Sequence, residues 1–234
     1  MINTTIVGCG FGGIAVARSL KRQGRDDFVV LDSQAGPCGV WQAQRFPGCA
    51  ADMPSFLYCY ADRVPPLGAR LVPDRAEILS YLGEVIEQDD IEPHLRFAWP
   101  VAAVERQQGW GVWRIRSSTG DSIDARFVVI ATGTTGSPRT PDLPGIADFK
   151  GPLFHTMEWP ETVALAGRRI AVIGAGASAI QLVPELARQQ AEVTVFARTH
   201  RWILPKPDFD VNGFLRAALG LSPGLRGMIG ERLA

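Results

Sequence analysis

The sequence predicts an α/β fold built on two βαβ units, and three observations carry that prediction. Two G-x-G-x-x-[GA] loops are present, one at Gly8, Gly10 and Gly13, the other at Gly174, Gly176 and Ala179. Each follows a short apolar run and opens a stretch with apolar residues at helical spacing, the order that sets a helix between parallel strands. Between the loops, Phe149 to Pro160 read F-K-G-P-L-F-H-T-M-E-W-P, an F-x-G-x-x-x-H-x-x-x-W-P string. At average residue usage, five such fixed positions arise by chance in fewer than roughly one in ten thousand chains of this length. The string is a signature.

Taken in order, Thr4 to Cys9 is the first strand, and Gly12 to Gln23 carries Ile14, Val16, Ala17 and Leu20 at helical spacing. Phe28 to Leu31 is the second strand, closed by Asp32. Residues 36–60 are rich in Gly, Pro, Cys and aromatics without a sustained period, which describes a loop folded over a ligand. Pro73 to Gln88 reads as a helix with Asp74 as N-cap and Ile78, Leu79, Leu82, Val85 and Ile86 on one side. Val101 to Arg116, with Gly109, alternates as a small antiparallel meander, and Ala125 to Ile130 is a continuous apolar run suited to a buried parallel strand. Gly136 to Pro144 is a Pro-rich crossover, after which Arg169–Ile173, Ala177–Gln190 and Glu192–Ala197 form the second βαβ unit. The expected domains are 1–140, 141–204 and a tail, 205–234, in which Phe214, Leu215, Ala218 and Leu219 share a helical face.

With 46% hydrophobic and 21% charged residues, the 234-residue chain has ordinary globular composition. Lys plus Arg equals Asp plus Glu at 24 each, so no charge excess argues for nucleic acid or an anionic membrane surface as partner. No apolar run approaches the roughly 20 residues of a membrane span. The first strand begins close to Met1, which leaves no space for a cleavable leader, and the four cysteines form no C-x-x-C pair and no metal set with the three histidines. A cytoplasmic protein with reduced thiols and no metal is expected.

In a loop of the first type, Gly8 permits the tight turn, Gly10 lets the backbone approach a pyrophosphate, and Gly13 lets helix pack on strand. The phosphates then lie at the positive helix end, and Asp32 is placed to accept hydrogen bonds from ribose hydroxyls. The second loop, Gly174-Ala175-Gly176-Ala177-Ser178-Ala179, has the same context, but its second strand runs into Arg198-Thr199 instead of an acid. A cation there suits a ribose 2′-phosphate, favouring NADPH over NADH by about ten- to hundredfold at roughly 1.5–3 kcal/mol. The alternative is that Arg198 simply reaches solvent.

With its F-x-G string, Gly39-Val40-Trp41, Arg45-Phe46-Pro47-Gly48 with Asp52, Ala131-Thr132-Gly133, and Arg198-Thr199 with Trp202, the chain resembles the type I Baeyer-Villiger monooxygenases from Thr4 to about Pro205. The resemblance implies two Rossmann-like domains, one for FAD and one for NADPH, both incomplete in this chain, and insertion of one oxygen from O2 into a ketone substrate to give an ester or lactone. It implies that Val40, Trp41, Asp52, Tyr58, Val101 and Gly133 line the flavin, and that Ala175, Ala177, Ser178 and Gln181 join the second loop's nucleotide site. Asp52 would also orient the nicotinamide and an active-site arginine. His155 would couple cofactor binding to domain movement; no nucleophile or carboxylate partner beside it is legible, so a general-base role is not supported.

The chain departs from the family at Ala50, where an arginine is common, and in length, since family members are roughly twice as long and exceed the usual one-domain size. No residue here matches the active-site arginine, so slow ketone oxygenation by the isolated chain is expected. Two other readings stay open: a FAD/NADPH reductase without oxygenation, and a non-catalytic dinucleotide-binding remnant or half-protein. The last would self-associate or need complementation by a second chain, because missing neighbours leave strand edges exposed.

Overall fold

In a computed structural model, residues 1–63, 70–107, 111–199, 202–203 and 205–206 are described. The expected tail beyond residue 206, with Phe214, Leu215, Ala218 and Leu219, and Gly109 of the meander lie outside them. The chain divides into two compact units, Met1–Arg45 with Leu79–Glu158, and Phe46–Ile78 with Trp159–Ala234.

The first unit is built on β1 (Ile2–Val7), α1 (Phe11–Arg22) and β2 (Phe28–Leu31). β1 and β2 are parallel, pairing Thr4 with Phe28 and Val7 with Leu31, and β2 is buried along its whole length. This is why both read as apolar runs without alternation. The rest of the sheet comes from β3 (Leu95–Arg96), β4 (Val101–Arg106), β5 (Trp113–Ser117) and β6 (Ser122–Ile130), in the order β3-β2-β1-β6-β5-β4.

β6 does two jobs. Its first half pairs antiparallel with β5, Ile123 opposite Ile115, and its second half pairs parallel with β1, Val129 opposite Ile6. The end of the expected meander and the expected parallel strand are therefore one continuous strand, and the burial expected over Ala125 to Ile130 is met only at Ala125, since Phe127 and Ile130 are exposed. The meander brings Ile115, Ile123 and Ala125 against Val29 and Leu31, with Val101, Val104 and Trp113 packed around them.

Ile6 faces α1, whose Ile14 and Ala17 are fully buried. α3 (Arg75–Gln88) adds Leu82, Val85 and Ile86 to the core. Two links tie α3 to α1: Phe11 stacks on Tyr81 at 6.3 Å between ring centres, and the Arg18 side chain pairs with Asp89. Arg18 is only 3% exposed, so Asp89 serves it as a carboxylate partner held out of water.

In the second unit, β7 (Arg169–Ile173), α4 (Ala177–Arg188) and β8 (Glu192–Phe196) form the second βαβ, with Ile170 opposite Val193 and Val172 opposite Val195. Leu182 and Leu186 of α4 are buried. The same unit holds residues 46–78, including the start of α3, where Asp74 Oδ1 accepts the Glu77 N–H at 2.9 Å and Glu77 Oε2 accepts the Asp74 N–H at 3.0 Å. Asp74 is thus the expected cap, completed by Glu77 into a reciprocal box.

Deleting one partner of a buried ion pair strands the other charge, at a cost of about 3–5 kcal/mol. Asp89→Ala is therefore expected to lower unfolding free energy by that amount in urea titration. The double change Arg18→Met with Asp89→Leu is expected to cost less, because it removes both charges.

Candidate functional site

The turn from β1 into α1 places Gly8 at φ +105°, in the region that favours glycine, and a Cβ there would overlap the carbonyl oxygen of Ala131. A Cβ at Gly13 would overlap the carbonyl oxygen of Gly8. Both glycines are therefore required by the protein's own packing. Gly10 is different: a Cβ there meets only the Gly39 Cα, at 3.7 Å. Gly10 is also the N-cap of α1 and offers no side-chain cap, so the helix's first amides are left for a ligand. The cradle fits a pyrophosphate.

Asp32 holds this loop. Its Oδ2 accepts the Cys9 N–H at 2.6 Å and its Oδ1 the Gln34 N–H at 2.8 Å. The carboxylate expected to receive ribose hydroxyls is thus also the tie between the glycine loop and the end of β2, and it is 8% exposed. The Cys9 carbonyl in turn accepts the Cys38 N–H at 2.8 Å. That bond brings in Cys38, at φ +83°, and Gly39, whose Cβ would approach the Gly10 Cα to 2.9 Å.

Gly39 opens the short helix α2 (Val40–Ala43), so Val40 and half-buried Trp41 stand beside the first loop. Gly133, at φ +71°, lies just past β6, where the Ala131 N–H donates to the Val7 carbonyl at 2.7 Å. The structure thus brings Gly8, Gly10, Gly13, Asp32, Val40, Trp41 and Gly133 to one end of the sheet. Val101 instead begins β4 and packs into the sheet core.

None of the four cysteines is in a disulfide. Burial, with the Asp32 charge adding to it, pushes the Cys9 thiol up to about 12, and burial pushes Cys49 up to about 11. Both stay protonated at neutral pH and behave as packing groups.

The second loop repeats the first in its backbone. Gly174 is at φ +112°, and the N-cap Gly176 is at φ −82°, ψ −175°, against φ −85°, ψ −169° for Gly10. Gly174 N–H donates to Phe196 O at 2.9 Å, as Gly8 N–H donates to Leu31 O at 2.7 Å. Ala175 precedes the cap, and Ala177, Ser178 and Ala179 form the first turn of α4, again with no side-chain cap. Arg198 and Thr199 lie exposed beyond β8. The Gln181 side chain bonds the Ala50 backbone.

Asp52 is exposed and Tyr58 half-buried in the second unit, where the Tyr58 N–H donates to Pro54 O at 3.1 Å. His155 Nδ1 accepts the Met157 N–H at 3.1 Å, which leaves the proton of the neutral ring on Nε2. This histidine fastens the short turn Thr156–Glu158. The Phe149 ring stands beside Gly151, 2.7 Å from where a Cβ there would lie. Sequence reasoning missed Cys38 as a wall of the first loop and had Gly39 only as the first residue of the Gly39-Val40-Trp41 motif.

Residues 5–217 match the family model described as pyridine nucleotide-disulphide oxidoreductase. A Baeyer-Villiger monooxygenase of Streptomyces coelicolor is 37% identical over 220 residues, covering 92% of this chain and 41% of the relative. The closed crystal structure of cyclohexanone monooxygenase superposes with TM-score 0.89 at 31% identity, over 99% of this chain and 44% of that one. The structure of OTEMO in complex with FAD and NADP gives TM-score 0.88 at 27% identity, over 98% of this chain and 44% of that one. The chain spans about two fifths of the length of the curated relatives it matches.

Gly13→Ala is expected to lower the melting temperature of the ligand-free chain sharply, because the added Cβ overlaps backbone. Gly10→Ala is expected to leave it within a few degrees. Thermal unfolding followed by circular dichroism checks both.

Proposed function

The chain belongs to the pyridine nucleotide-disulphide oxidoreductase family, among the Baeyer-Villiger monooxygenases, and we propose that it binds FAD at the first glycine loop and NADPH at the second. The observation that carries this reading is the repeated loop backbone with opposite charge at the two strand ends: Asp32 after β2, Arg198 after β8. An acid suits a bare ribose and a cation suits a 2′-phosphate. In this reading 1–140 is the FAD side, 141–204 supplies the NADPH βαβ, and residues 46–78, which carry Asp52, group in space with the latter.

When bound, NADPH supplies a hydride and reduced FAD activates O2 for insertion next to a ketone carbonyl. The chain's own part is placement. The α1 and α4 N-termini orient the two pyrophosphates, Asp32 fixes the first loop and receives ribose, and Trp41 walls the flavin against water. Asp52 steers the nicotinamide, and His155 holds the linker turn while moving no proton. The ketone class is supported by the names of the relatives, and a cytoplasmic location by four cysteines that form no disulfide.

A second reading, a half-protein whose βαβ unit needs a covering chain, is favoured by Ile173, Val195 and Phe196, which are 50%, 42% and 57% exposed. Among the described residues β7 pairs with β8 alone, and a two-stranded sheet is marginal in water. Light scattering on the purified chain separates the readings: a monodisperse monomer rejects the second.

The first reading is tested by flavin absorbance after gel filtration. Wild type should retain FAD and Gly10→Ala should lose most of it without unfolding; equal retention would take the first loop out of the assignment. Titration with both nicotinamide cofactors should show Arg198→Ala lowering the NADPH over NADH preference by about ten- to hundredfold. An unmoved ratio places the 2′-phosphate elsewhere.

A further inference from the structure

Gln181 lies one turn into α4, and both ends of its amide bond a single residue 131 positions away. The Ala50 N–H donates to Gln181 Oε1 at 3.0 Å, and Gln181 Nε2 donates to the Ala50 carbonyl at 3.1 Å. On the other edge of the same short segment, the Arg75 N–H donates to the Cys49 carbonyl and the Ala51 N–H to the Pro73 carbonyl, both at 3.0 Å. Residues 49–51 are therefore extended between the chain at 73–75 and a side chain that imitates a neighbouring strand. Only a primary amide offers one donor and one acceptor in a plane matched to one residue's N–H and C=O. Close packing seals the arrangement: a Cβ at Gly48, itself at φ +80°, would come 2.6 Å from Glu185 Cγ and 2.9 Å from the Gln181 carbonyl.

We propose that Gln181 is a positioning residue that locks the segment leading to Asp52 onto α4, so that a nucleotide seated on the first turn of α4 also orders Asp52. The inference rests on the reading of the second loop as an NADPH site. Gln181 stands four positions after Ala177, directly below the turn whose amides would receive the pyrophosphate. Asp52 follows Ala50 by two residues, so the clamp leaves it little freedom relative to the helix. One rigid piece then carries both the seat of the hydride donor and the carboxylate that steers the nicotinamide.

The test is amide hydrogen exchange on the FAD-loaded 234-residue chain, with and without NADP+, for wild type, Gln181→Met and Gln181→Glu. Wild-type Ala50 should be protected, and NADP+ should slow its exchange further by on the order of tenfold, together with exchange at residues 174–179. Gln181→Met should speed Ala50 exchange by on the order of tenfold and abolish the NADP+ effect there, while 174–179 still respond. Gln181→Glu, which keeps length and acceptor but sets a carboxylate oxygen against the Ala50 carbonyl, should behave like Gln181→Met at neutral pH. Wild-type exchange at Ala50 in either variant overturns the clamp. A response at 174–179 without one at Ala50 in wild type overturns the coupling alone, and no NADP+ response at 174–179 overturns the NADPH reading and the coupling with it.

Discussion

The turn that carries β1 into α1 leaves no space for a side chain at Gly8 or Gly13, and the rest of the first site is hung from it. Gly8 is backed by the Ala131 carbonyl and Gly13 by the carbonyl of Gly8 itself, so strand, loop and helix are fixed to one another through main-chain atoms. Ala131 is held in turn by its bond to Val7. On this frame Asp32 fastens Cys9 from one side and Cys38 fastens it from another, which lays Gly39 against Gly10 and delivers Trp41 to the mouth. Gly10, by contrast, leaves its Cβ direction open. A site whose walls are set before the ligand arrives gives up less ordering free energy on binding.

The second loop reaches the same dihedral angles without that support. A Cβ on Gly174 would meet nothing within 4 Å, because β7 has no described strand on its far edge to play the part that β6 plays for β1. The backbone of a G-x-G turn is thus a local property of its residues, while its rigidity comes from neighbours. The two loops share a shape and differ in how firmly it is held.

Much of this organisation was legible in the sequence. Apolar runs at Thr4 to Cys9, Phe28 to Leu31 and Arg169 to Ile173, each tied to a glycine loop, mark parallel strands, and Asp74 marks the start of α3 through its capping chemistry. Three features had no local signature. β3 is only Leu95–Arg96 and exists through its pairing with β2. The double role of β6 follows from sheet order, which a run of apolar residues does not encode. Cys38 and Gln181 owe their importance to partners far along the chain, so their residue types alone gave no warning of the bonds they make to Cys9 and Ala50.

If one chain holds two different dinucleotides in its two glycine loops at once, calorimetric titration of NADP+ into the FAD-saturated chain should show one NADP+ bound per bound FAD, with no flavin released. Displacement of FAD by NADP+, or binding of NADP+ only to the flavin-free chain, would show that the two compete for one loop and would contradict simultaneous binding.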